Sequence, residues 1–174
     1  MPEGLVAIRS AEEIAMARRA GALAAEVLDM IAQHVKPGVT TEELDRLCHD
    51  HIVNVQQATP ANIGYHGYQK TICASVNHVI CHGIPSAKKL KNGDIVNIDV
   101  ALNKDGWFGD TSRMYFVGQP GTLARRLVRT TYEAMRAGIL AVRPGARLGD
   151  IGHAIQSVAH RDGFSVVQEY CGHG

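Results

Sequence analysis

Paired cysteines, long apolar runs and a charge bias are all missing from this 174-residue chain. Its four cysteines, Cys48, Cys73, Cys81 and Cys171, form no CxxC pair. That excludes a dense disulfide framework and fits reduced thiols of the cytosol. No uncharged run approaches the roughly 20 residues of a membrane helix, and the longest apolar stretch is broken by Glu26 and Asp29. The start, Met1-Pro2-Glu3-Gly4, has neither a basic nor an apolar stretch, so no secretory signal is visible. The formal net charge is +1, and Lys88, Lys89 and Lys91 read as a solvated loop rather than a nucleic-acid footprint. A cytoplasmic protein is expected, with neither membrane nor nucleic acid as direct partner. What is present is an ordinary globular composition, in a chain sized for a single domain over 1–174.

Local signals divide the chain into helices and strands. Ser10 with Glu13 reads as a capping box, and Ile14, Ala17, Gly21, Ala24, Leu28 and Ile31 follow at helical spacing until Pro37-Gly38. Thr40 with Glu43 opens a second helix whose inner stripe is Leu44, Leu47, Cys48 and His51. A turn-rich segment from Thr59 to Lys70 holds Gly64, Gly67 and two tyrosines, and Thr71 to Val76 alternates as a strand. Asp94 to Leu102 and Trp107 to Val117 are strand-like runs around Asp105-Gly106, a strong hairpin signal. Helices are expected over about Thr122 to Val142, with Arg125, Arg129, Glu133 and Arg136 on the wet face, and over Leu148 to Arg161. A last strand is expected over Ser165 to Tyr170.

The sequence also repeats. Val35-Lys36-Pro37-Gly38 returns as Val142-Arg143-Pro144-Gly145, 107 residues later, and Leu44, Leu47 and Cys48 fall on Ile151, Ala154 and Ile155. Each copy reads helix, Pro-Gly turn, helix, strand. The halves divide near 1–118 and 119–174, and the second copy has no counterpart of the hairpin.

That hairpin carries the chemistry. Asp99 interrupts the apolar run Ile95 to Leu102, where a carboxylate is costly unless paired, hydrogen-bonded or bound to metal. With a two-residue Asp105-Gly106 loop, paired positions sum to 211, so Asp110 stands opposite Ala101, diagonal to Asp99 on one face. Diagonal neighbours lie roughly 7–8 Å apart, close enough for two short carboxylates to share cations. Either aspartate alone reads better as structural, Asp99 as a turn cap or backbone acceptor and Asp110 in a Gly109-Asp110-Thr111 bend; together on one face they favour metal. With imidazole, hard carboxylate oxygens suit Mn, Fe, Co or Zn, and paired ions of this kind support aminopeptidase chemistry. His173, between Gly172 and Gly174, is the candidate imidazole.

The runs Gly64-Tyr65-His66-Gly67-Tyr68, Cys73, Cys81-His82-Gly83-Ile84-Pro85, Asn92 to Val100, Gly109-Asp110-Thr111-Ser112 and Cys171-Gly172-His173-Gly174 closely resemble type I methionine aminopeptidases. The resemblance covers nearly the whole chain. It implies an α/β (α+β) pita-bread fold with two pseudo-twofold-related halves, the second incomplete here. It implies a site with two divalent metal ions (Co, Mn, Fe or Zn), where Asp99 chelates, Asp110 bridges and His173 binds. His82 would be catalytic and contact substrate, while Tyr65, His66, Tyr68 and Cys73 would bind it. The family usually has cysteine where this chain has Asn62, which makes the methionine pocket more polar there. The activity implied is removal of initiator methionine from nascent polypeptides with a small second residue, near the ribosome, by a monomer when complete.

The family's two glutamate ligands have no counterpart in these 174 residues, so the chain alone is expected to be inactive or weak and prone to associate. Three alternatives stand beside the enzyme. One is a non-catalytic relative that binds peptide N-termini or protein partners. Another is an Xaa-Pro aminopeptidase or creatinase relative, disfavoured because those chains carry a long leading domain. The third is a structural zinc site from Cys81, His82, Cys171 and His173, which lacks standard spacing. Cys81 and Cys171 are otherwise expected to be plain buried thiols.

Overall fold

The computed structural model describes residues 7–173; the opening Met1 to Gly4 and the closing Gly174 lie outside the described residues. The chain divides into two compact units, Met1–Pro120 and Gly121–Gly174. No described helix is long and apolar enough to cross a membrane.

The first unit is organised around one strand, β3 (Ile95–Lys104). Val96, Ile98, Val100 and Leu102 are each fully buried, so the pleat turns Asn97, Asp99, Ala101 and Asn103 to the other face. At the hairpin tip Asp105 and Gly106 have φ +54° and +87°. Positive φ at both loop positions matches the right-handed twist of the flanking strands. The chain returns as β4 (Trp107–Phe116) in an unbroken register from Lys104 opposite Trp107 to Ile95 opposite Phe116. Along the other edge of β3 lie β2 (Ile72–Val76) and the short β1 (Thr59–Pro60), both antiparallel.

Two helices cover the apolar face. In α1 (Ala11–Ala32), Ser10 and Glu13 form the expected capping box, and Ala20, Ala24, Val27, Leu28 and Ile31 are buried. Ile14 and Ala17, expected inside, are exposed. The core begins where the α1 backbone touches β4 at Ala20 and Gly109, and the two turns before that point reach past it. Tyr115 on β4 donates its hydroxyl to Leu28 O at 2.6 Å, and Arg113 pairs with Asp29 at 2.6 Å. In α2 (Thr41–Asp50), Thr40 accepts the Glu43 N–H at 3.1 Å, and Leu44 and Cys48 are fully buried. Burial pushes the Cys48 thiol up to about 12. A π turn over His51–Val55 then changes the helical phase. His51, expected on the inner stripe, is therefore half-buried and meets Glu26 Oε1 at 2.9 Å.

The second unit pairs α3 (Thr122–Ala141) with α4 (Leu148–Arg161). Its Pro-Gly turn places Gly145 at φ +86°, as the earlier turn places Gly38 at φ +93°. Gly138 gives the close approach, because a Cβ there would meet Ile155 Cγ1 at 2.8 Å. An apolar groove of about 370 Å³ is lined by Thr131, Ala134, Met135, Gly138, Ile139, Val142, Ile151 and Ile155. Shifted back by the repeat of 107, six of these fall on Ala24, Val27, Leu28, Ile31, Leu44 and Cys48, all core residues of the first unit. Arg125, Arg129, Glu133 and Arg136 are exposed as expected. The strand expected over Ser165 to Tyr170 does not form. A strand needs a partner for its backbone groups, and no described residue of this unit is in a strand.

Three outcomes follow for stability. Gly109→Ala would drive a Cβ to within 2.1 Å of Ala20 O, so urea denaturation should show a loss of about 1–3 kcal/mol. Gly21→Ala, with open space around it, should instead gain about 0.5–1 kcal/mol by helix propensity. In the second unit, Arg161 Nε donates to Asp162 at 2.9 Å and Thr130 Oγ1 donates at 2.7 Å, and these hold the carboxyl at about 2, below its ordinary 3.8. A carboxyl lowered on folding stabilises above its unfolded value and loses that contribution as pH falls. Amide-exchange protection of α4 should therefore drop between about pH 4 and pH 2, and Asp162→Asn should flatten that drop.

Candidate metal and peptide site

The sheet face turned away from α1 and α2 carries polar groups of the first unit. Asp99 is flanked by Cys73 on β2 and by Ser112 on β4, and Asp110 stands opposite Ala101. This is the register of 211 expected from the hairpin loop. Asp99 is half-buried and Asp110 exposed. The two aspartates lie on one diagonal of the ladder, and the parallel diagonal one rung along joins Asn97 to Ser112. There the Nδ2 to Oγ distance is 3.3 Å, so side chains on this diagonal of the twisted hairpin do meet.

Beside the carboxylates is a wall made of a buried thiol and a half-buried phenol. Cys73 is 7% exposed. Burial raises its thiol, the hydrogen bond with Tyr68 works the other way, and the charges of Asp99, Cys81 and Asp110 raise it further. Tyr68 is raised chiefly by burial, then by its bond with Cys73. Its hydroxyl donates to Ile72 O at 2.9 Å and to Gly83 O at 3.4 Å. Gly83 is pinned against β2: its carbonyl accepts from Ala74 N at 2.8 Å and its N–H donates to Ser75 Oγ at 3.1 Å. A Cβ on Gly83 would meet Ala74 O at 2.3 Å, so the neighbouring His82 is delivered by a residue that must be glycine. His82 is exposed with φ +52°, a left-handed backbone uncommon for a non-glycine residue.

The loop bearing Tyr65 and His66 is a short 3-10 turn, Tyr65–Gly67. Both residues are exposed, their rings meeting edge-on at 4.4 Å. Tyr65 is thus more open to solvent than the half-buried Tyr68, whose backbone N–H donates to Tyr65 O at 2.9 Å. This loop is fastened at its far end. Buried Asp45 on α2 accepts the N–H groups of Thr71 and Ile72 at 2.8 and 3.0 Å, and Asn62 Nδ2 donates to Thr71 O at 2.9 Å. Burial raises the Asp45 carboxyl and those two bonds oppose the rise. Half-buried Asn62 thus spends its amide N–H on the backbone.

His173 belongs to the second unit and is exposed. Cys81 and Cys171, expected as buried thiols, are instead half-buried and exposed. Each lies in an irregular segment outside the strands and helices that build the core. Among the described residues no group of three or more His, Cys, Asp or Glu is gathered as a metal cluster. Sequence reasoning passed over Asp45, Asn97 and Ser112. The signal for Ser112 was present, because the register that puts Asp110 opposite Ala101 also puts Ser112 opposite Asp99.

The sequence model of metallopeptidase family M24 matches residues 15–174. The chain belongs to that family. Membership of M24, a metallopeptidase family, implies a divalent-metal site, and the paired aspartates are hard donors that fit one. The methionine aminopeptidase of Salmonella typhimurium is 58% identical over 170 residues, covering 97% of this chain and 64% of that protein. The chain thus spans about two-thirds of that relative's length. The crystal structure of methionine aminopeptidase from Rickettsia prowazekii superposes with a TM-score of 0.93 at 55% identity, covering 95% of this chain and 66% of that one. An Xaa-Pro dipeptidase from Bacillus anthracis shares the fold with a TM-score of 0.79 at 22% identity, covering 95% of this chain and 44% of that one. The M24 chain has the α+β pita-bread fold of these proteins.

Asp45→Ala would leave the Thr71 and Ile72 N–H groups buried without an acceptor. Denaturation should report a loss of about 2–4 kcal/mol, with Asp45→Asn recovering most of it because one acceptor oxygen remains.

Proposed function

We propose that this M24 chain carries out metal-dependent removal of an N-terminal methionine from nascent polypeptides, preferring a small second residue. The observation that carries the reading is the Asp99–Asp110 diagonal beside the Tyr68–Cys73 wall on one sheet face. Its support is the likeness to methionine aminopeptidases at 58% identity. Asp99 and Asp110 are proposed as carboxylate donors for two divalent ions drawn from Co, Mn, Fe or Zn, and His173 is the imidazole donor that the sequence motif offers. When bound, such ions supply Lewis acidity toward a carbonyl and lower the pKa of water.

The rest of the work falls to the protein's own side chains. Tyr68 and Cys73 offer a soft, largely apolar wall for the thioether, and Tyr65 and His66 are proposed to contact the peptide from the exposed loop. His82 is proposed to hydrogen-bond the scissile amide and to steady its nitrogen as the bond breaks. The proposed setting is the cytoplasm, near the ribosome, where nascent N-termini emerge.

The test is methionine release from Met-Ala-Ser with Mn(II) or Co(II). It is made on the 174 residues alone and on the same residues joined to the last third of the R. prowazekii relative. Two carboxylates carry less charge than two divalent ions, so the 174 residues alone should turn over weakly. The joined protein should release methionine, stop with chelator, and lose at least about a hundredfold in Asp99→Asn or Asp110→Asn. Release that persists in both variants, or that ignores chelator, would overturn the reading.

A further inference from the structure

Asp99 has two cross-strand neighbours on the site face, and they differ in kind. On β2 stands Cys73, a poor hydrogen-bond donor; on β4, directly opposite, stands Ser112. Ser112 is itself engaged, because Asn97 Nδ2 donates to Ser112 Oγ at 3.3 Å. A serine hydroxyl has one proton and two lone pairs. With one lone pair taken by the Asn97 amide, the hydroxyl hydrogen is turned away from Asn97. The carboxylate paired across the ladder from it is Asp99. Directly opposed Cβ atoms in such a pair lie about 4.5–5.5 Å apart, within reach of a hydroxyl-to-carboxylate hydrogen bond.

The alternation along β3 makes this juxtaposition a property of the fold. Because Val96, Ile98 and Val100 are buried on the helix side, Asn97 and Asp99 are held on one face, two residues apart. The unbroken register then places Ser112 opposite Asp99 and diagonal to Asn97.

We propose that Asn97 and Ser112 are positioning residues for the metal site: Asn97 fixes the Ser112 hydroxyl, and that hydroxyl hydrogen-bonds the Asp99 carboxylate and sets its orientation toward the cation. The proposal rests on the reading of Asp99 as a metal ligand. Partners of this kind behind a ligating carboxylate set its orientation, and losing one typically weakens metal affinity by about 10–100-fold. An amide suits the outer position because it directs the serine without adding a third charge.

The experiment is calorimetric titration of the 174-residue chain with Mn(II), beside thermal unfolding without metal. Ser112→Ala should raise the Mn(II) dissociation constant about tenfold while the metal-free melting temperature stays within about 2 °C. Ser112→Thr, which keeps a hydroxyl, should restore affinity to within about threefold, and Asn97→Ala should fall between. A merely structural role would move the metal-free melt and leave affinity alone, and that outcome overturns the proposal. Asp99→Asn separates the two levels. If it weakens Mn(II) binding and Ser112→Ala does not, positioning alone is wrong. If Asp99→Asn has no effect, or the unaltered chain binds no Mn(II), the metal reading fails and this proposal fails with it.

Discussion

Four side chains on β3, Val96, Ile98, Val100 and Leu102, are wholly removed from water against α1 and α2. A strand can hide such a set only by turning every intervening residue to its other face, and a slip of one position would expose all four. The polar face is a consequence of that burial. Asp99 sits where it does because its neighbours on either side had to go in. The hairpin loop transmits the same constraint to β4: with Asp105 and Gly106 both at positive φ, the return register is set, and Asp110 and Ser112 follow. On the opposite side of β4, Gly109, Arg113 and Tyr115 are committed to α1. One hydrophobic pattern thus decides both what holds the unit together and which groups remain for chemistry.

The pocket side of the site is assembled differently, by polar groups that reach across long sequence separations. Asp45 on α2 clamps the entry to β2, Asn62 ties the preceding loop to the same point, and Gly83 is laced to the edge of β2. Burying the Asp45 carboxyl raises it, and the two backbone N–H groups are what make that burial tolerable. Held at its ends, the loop can carry His66 at φ +46°, and the Gly83 lacing does the same for His82 at φ +52°. Both histidines adopt backbone shapes that an unrestrained chain would rarely choose. Such conformations persist where surrounding bonds over-determine them.

The second unit shows the same grammar in a pair of helices. Six of the eight groove residues between α3 and α4 coincide, at a constant offset, with core residues of α1 and α2. Small residues serve the same end in both units: Gly138 admits Ile155 in one, and Gly109 admits the α1 backbone in the other. In each, the close approach is made possible by a missing Cβ.

Much of this was legible in the residues themselves. Periodicity, capping boxes and the Asp-Gly loop placed the helices, the hairpin and its register, and so the diagonal of Asp99 and Asp110. These signals are local, carried by side chains within a few positions of one another, and the motifs around them sufficed to mark the family. Three-dimensional packing decided the rest. It left Ile14 and Ala17 outside, because how far a helix overlaps its sheet depends on the partner surface. It turned His51 toward Glu26 through a π turn, and it denied a strand to Ser165–Tyr170, whose unit offers no described strand to pair with. It also revealed the Asp45 clamp and the Asn97–Ser112 bond, since a side-chain hydrogen bond to a group 15 or more residues away leaves no periodic trace in the sequence.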